Sequence, residues 1–198
     1  PQPFHLARGL AGLGRRVSRG VHDDGKPDGQ VIDGVQVIRS YRDDVGWRGV
    51  RVIHPRLTGL FKAMERADAD IYYQRGAEDE TGWVAWWCRR HRKRFVFALA
   101  GHHMLMPRRV LSRAWLEQRL YRWGMRQADM ILVQTNEQRK LLTDRYGLGA
   151  RVLPNMAPVW FARPTPGFED RQGVLWVGRF NPIKRVHGCL ALADRLPD

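Results

Sequence analysis

Cysteine is almost missing from this sequence: Cys88 and Cys189 are the only two in 198 residues, and no metal-ligand spacing links them. That argues against a disulfide framework or a structural zinc site. Trp86 and Trp87 immediately before Cys88 mark it as a buried, reduced thiol. Long apolar runs are missing too. None reaches the ~18 residues of a membrane-spanning helix, and no signal peptide is visible. The chain begins at Pro1 rather than methionine, which leaves targeting open, and a cytoplasmic location is the working expectation. There is no internal repeat, no low-complexity tract beyond the arginine clusters, and no recognisable base-reading module.

Lysine is scarce as well, with five among the 34 basic residues, leaving 29 arginines. So skewed a ratio reads as a GC-rich genome rather than as selection for a ligand. The formal charge of +14 is still unusual, and it is densest at Arg89, Arg90, Arg92, Lys93 and Arg94, beside Trp83, Trp86 and Trp87. Three readings stay open for that run: a solvated helix end favoured by the macrodipole, peripheral contact with an anionic membrane, and, least favoured, nucleic acid.

What is present is enough apolar residue to build a core, 43% against 27% charged, which excludes compositional disorder. Strand and helix patterns alternate, as in a parallel sheet flanked by helices. The expected helices are Phe4 to Arg16 (Leu6, Leu10 and Leu13 on one face), Pro55 to Arg66 (Leu57, Leu60, Phe61 and Met64 inward), Asp79 to Arg92, and Glu137 to Tyr146. A long helix from Arg109 to Arg126 is expected to bury a stripe of Leu116, Leu120, Trp123 and Gln127. The expected strands are Val35 to Ser40, Asp70 to Gln74, Phe95 to Ala100 and Met130 to Gln134. Ala157 to Gln172, rich in proline, reads as a linker.

The last segment carries the most chemistry. Val174 to Val177 is a continuous apolar run of the kind buried in parallel sheets, followed by Gly178 and Arg179. Lys184 then opens an apolar-periodic helix through Val186, Leu190, Leu192, Ala193 and Leu196. Glycine lets a backbone come close to an anion, and a helix start with two fixed cations supplies positive potential, so the unit suits a phosphate.

This segment resembles the opening of the donor-binding domain in glycosyltransferase family 4, retaining enzymes of the GT-B type. The resemblance extends upstream in order. TNEQRKLLTDRYGLGARVLPNMAP is similar to the end of that family's N-terminal domain, ADADIYYQRG and KRFVFALAGHH to two of its strands, and HLARGLAGLGRRVS to its first helix and turn. The implied fold is α/β: an N-terminal Rossmann-like domain over 1–156, a linker over 157–172, and over 173–198 the first strand and helix of a second Rossmann-like domain. It also implies that the first strand, its glycine-rich loop and the family's two-glutamate motif lie outside these residues, so that the chain is an inactive fragment of an enzyme.

The resemblance further implies a nucleotide-diphosphate sugar as donor and a carbohydrate or lipid-linked acceptor. Neither a cofactor nor a metal is implied. Gly178, Arg179 and Lys184 take the donor diphosphate. The carboxyl ends of the strands independently select Arg75, His102, His103, Thr135 and Asn155 as cleft positions. The family places a histidine beside the donor sugar, a role assigned to His102 in preference to His103. Arg75 either contacts a phosphate or pairs with Glu78 or Asp79. Two other functions fit part of the pattern: a sugar-nucleotide epimerase of the same architecture, and a basic module for membrane or nucleic acid.

Overall fold

Seven strands, six α-helices and two shorter helical turns form among the described residues of the computed structural model, which are 2–23, 25, 27–42, 52–76, 80–105, 113–155, 167, 169, 176–178, 180 and 185–195. Helix α1 (Gln2–Gly12) leads to strand β1 (Val17–Val21) and a short hairpin, β2 (Val31–Ile32) and β3 (Val35–Arg39). Then follow α2 (Thr58–Ala67), β4 (Ile71–Arg75), α3 (Glu80–Arg90), β5 (Arg94–Ala98), α4 (Arg113–Arg126), β6 (Met130–Val133), α5 (Asn136–Tyr146) and β7 (Arg151–Val152). Helix α6 (Val186–Ala193) lies in a separate unit: the chain divides into Pro1–Pro158 and Val159–Asp198.

Strands β4, β5, β6 and β7 lie side by side in sequence order and are all parallel, the βα alternation expected of a Rossmann-like sheet. The N-terminal strands make a second sheet in the order β1-β3-β2, with β1 parallel and β2 antiparallel to β3. Strands β1 and β2 were not expected. Val17–Val21 reads VSRGV, half-exposed with a central arginine and glycine, and β2 is two exposed residues, so neither carries a strong apolar pattern.

The core forms where β5 meets the helices. Phe95 and Phe97 point to one side and pack with Trp87 and Cys88 of α3, Tyr121 and Met125 of α4, Ile131 and Val133 of β6, and Leu142 of α5. Burial pushes the Cys88 thiol up to about 12, so it stays protonated and inert. Helices α3 and α4 cross at two glycines. A Cβ on Gly124 would lie 2.6 Å from the Thr81 carbonyl oxygen and from the Gly82 Cα, closer than any side chain permits.

Several expected inward faces are corrected. In α4, Tyr121, Gly124 and Met125 are buried, whereas Leu116 and Trp123 face solvent. The helix turns its small and mixed residues inward because the glycine contact fixes its rotation. Helix α1 ends at Gly12, leaving Leu13 beyond it and Leu10 exposed, while Ala7 is the residue it buries. The helical path expected from Pro55 is present: after His54, which is extended (φ −134°) as the residue before a proline prefers, a wider helical turn ending at Leu57 runs into α2 at Thr58. Met64 is buried as expected, with Leu60 and Phe61 packed half-buried on the core. Of the Val174 to Val177 segment, Trp176 and Val177 are described and lie in no strand. Among the described residues no helix is long and apolar enough to cross a membrane.

Candidate functional site

The carboxyl edge of the four-stranded sheet gathers most of the sequence candidates. Arg75 closes β4, and its Nη2 donates to Asn155 Oδ1 at 3.0 Å. β4 and β7 are the two outer strands of this sheet, roughly 14 Å apart at ordinary strand spacing, so the contact arches over the ends of β5 and β6. A depression at this edge is lined by Leu6, Tyr73, Arg75, Leu99, Gln134, Leu153 and Pro154. Of the alternatives for Arg75, Glu78 and Asp79 lie outside the described residues.

Strand β6 hands over to α5 through polar contacts. Thr135 is the N-cap, extended (φ −137°), and its hydroxyl accepts from the Gln138 amide at 3.1 Å. The Gln138 side chain, 2% exposed, reaches back past the cap to accept from the Gln134 N–H at 2.8 Å, a variant of the capping box that pins the residue before the cap rather than the cap itself. Gln134 Nε2 in turn donates to the Leu99 carbonyl at 2.9 Å and ties the exits of β5 and β6 together. Thr135 thus has a capping role, and Gln134 and Gln138 were not singled out by sequence. The Thr-x-x-Gln spacing was the available signal.

His102 begins a short helical turn, His102–Leu105, just after β5. Its Nε2 lies 3.3 Å from Glu137 Oε2 in the first turn of α5, where an acid also suits the helix dipole. The two are at ion-pair distance without an aligned hydrogen bond, and Nε2 itself is shielded from solvent. Glu137 is a residue the sequence reasoning passed over. The side chain of His103 lies outside what is described.

A second polar cluster sits past the end of β3. Tyr41 donates its hydroxyl to Glu80 Oε1, and Arg56 Nε donates to the Tyr41 oxygen at 3.2 Å and lies 3.6 Å from Glu80 Oε1. Burial first, then the hydrogen bond to Glu80, raises the Tyr41 pKa far above its ordinary value and keeps the phenol a donor. His22 packs on the Tyr41 ring at 4.9 Å. These residues are far apart in sequence and gave no joint signal.

The helix-end reading of the basic run holds for two residues: Arg89 and Arg90 occupy the last turn of α3, and Arg89 donates to Gln127 Oε1. Lys93 is paired with Asp68 at 3.1 Å, and Arg94 belongs to β5. In the second unit, Gly178 lies close against the Trp176 indole: an added Cβ would be 2.7 Å from the ring. Arg179 and Lys184 lie outside the described residues.

The model of the glycosyl transferase 4-like domain matches residues 3–156. The chain belongs to that family. Comparison with curated proteins finds no match. The matched span of this glycosyltransferase domain runs from α1 through β7 and includes Arg75, His102, Thr135 and Asn155, while Gly178, Arg179 and Lys184 fall beyond it. The mixed α/β architecture with its parallel four-stranded sheet is that of a Rossmann-like GT-B N-terminal domain.

Proposed function

We propose that this domain forms the acceptor-side wall of a transferase that moves a sugar from a nucleotide-diphosphate donor to a carbohydrate or lipid-linked acceptor, with retention of configuration. The observation that carries the reading is the polar arch at the sheet's carboxyl edge, where Arg75 meets Asn155 within the matched family span, with His102 following β5 at the same edge. His102 would lie beside the donor sugar, positioned by the first turn of α5. Arg75 would be available to an anionic or hydroxylated group, exchanging its Asn155 contact for the ligand.

Arg179 and Lys184, with Gly178 allowing close approach, would neutralise the departing diphosphate. Charge that develops in the transition state is then met by fixed cations, without need of a cofactor or metal. Peripheral contact with a membrane through Arg89, Arg90, Arg92, Lys93 and Arg94 belongs to the same reading, since a lipid-linked acceptor sits at a bilayer.

Sugar transfer by the intact enzyme that carries this domain, assayed over a panel of nucleotide sugars, tests it. Arg179→Ala is expected to lower kcat by about a hundredfold or more with the fold intact. Near-unchanged turnover would remove the assigned diphosphate site. Release of an epimerised nucleotide sugar in the absence of acceptor would replace transfer with epimerisation.

A further inference from the structure

The rotation of α4 leaves an unexpected surface. Trp115, Leu116, Arg119, Arg122, Trp123 and Arg126 fall within one arc of about 120° on the helix, opposite the buried Tyr121, Gly124 and Met125. Trp115 is 55% exposed and Leu116 65%. All three arginines are exposed, and the guanidinium of Arg119 lies over the Trp115 ring at 4.9 Å from its centroid. The helix has a single acid, Glu117, which lies outside the arc.

We propose that the outer face of α4 is a docking surface for an anionic lipid bilayer. Each component has a place there. Indole rings and a leucine suit the boundary between headgroups and acyl chains, while arginine stems lie along that apolar layer and present their charge to the phosphates. An acid-free arc meets a negatively charged leaflet without repulsion.

Other occupants fit less well. A second copy would set the same arginines against each other, on a chain already carrying +14. A nucleic-acid strand is tracked by a charged groove, whereas this is the outward side of a helix packed on its other side. The surface differs from the Arg89 to Arg94 run, where Lys93 is tied to Asp68. It is also independent of the transfer reaction.

Co-sedimentation of the full chain with vesicles of equimolar phosphatidylcholine and phosphatidylglycerol, against phosphatidylcholine alone, tests the proposal. The chain is expected to partition onto the anionic vesicles. The triple variant Arg119→Gln, Arg122→Gln, Arg126→Gln should weaken partitioning about a hundredfold. Trp115→Ala with Leu116→Ala should weaken it about tenfold. Circular dichroism should show both folded, as expected for exposed sites. Failure to bind anionic vesicles overturns the proposal, as does unchanged binding by both variants. So does loss confined to a variant neutralised at Arg89, Arg90, Arg92 and Arg94. A single-stranded RNA oligomer, or a second copy, bound through this face while vesicles are not bound would also overturn it. His102→Ala, which reads the transfer site, should leave vesicle binding unmoved.

Discussion

The two sheets of the N-terminal unit are stabilised by different forces. Around β5 the contacts are apolar and dense: Phe95, Phe97, Met125, Val133 and Leu142 are essentially inaccessible to water. The sheet of β1, β3 and β2 buries Val35 and Ile38 but leaves Val31 and Ile32 exposed, and charged ties stitch its border. Arg39 pairs with Asp23 at 2.9 Å, Asp28 accepts from the Arg39 backbone N–H at 2.9 Å, and Arg66 of α2 meets Asp28 at 2.7 Å. Apolar burial tolerates changes of pH and salt, whereas exposed charge pairs are sensitive to both. The half that carries the Arg75–Asn155 arch is therefore the robust one.

The largest expected effect comes from breaking the robust half. Phe97, fully buried and edge-on to Tyr121, should cost about 4 kcal/mol when changed to alanine, read as a lower denaturant midpoint at unchanged slope. A loss under a quarter of that would mean the centre of the core lies elsewhere. Gly124→Ala comes next, at about 3 kcal/mol, since the α3 backbone at Thr81 and Gly82 blocks the new methyl group. Thr135→Ala should lower stability by about 1 kcal/mol through the lost helix cap. A larger drop in sugar transfer than in stability would give Thr135 a role in the cleft besides.

Two further measurements sharpen the contrast at smaller amplitude. A thiol reagent at mildly alkaline pH should leave Cys88 unlabelled in the folded chain and label it only on unfolding, because burial holds its pKa near about 12. For the other half, the Arg39 amide and then Arg66 hold the Asp28 carboxyl below its ordinary 3.8. Folding lowers this pKa, so its contribution is complete above that value and is lost as pH falls below it. Amide-exchange protection in β2 and β3, taken relative to the intrinsic rate at each pH, should fall on acidification before protection in β5 does, and Asp28→Asn should remove most of that difference. Equal acid response in both sheets would erase the distinction.

The parts legible in the sequence belong mostly to the apolar half. Phe95 to Ala100 and Met130 to Val133 are continuous apolar runs, and Asn136–Tyr146 carries a threonine cap and a glycine stop. Strand β1 was not legible because a half-exposed VSRGV has no clear period. The face of α4 was misread because hydropathy ranks Leu116 and Trp123 above Gly124, whereas the fold buries the residue with no side chain. At the site, strand ends pointed to Arg75, His102 and Asn155 individually. Their partners could be found only in three dimensions: Arg75 and Asn155 are 80 residues apart, and Glu137 meets His102 across two strand exits.

The glycine crossing also constrains how this domain can vary among its relatives. Where two helices touch backbone to backbone, neither position can accept a methyl group unless the pair separates, and separation would tilt α3 and α4 together with the loops that follow β4 and β5. Gly82 and Gly124 form, in effect, a single inherited character at two sites. In sequences of this family that retain the same α3–α4 spacing, the two glycines should persist together or change together.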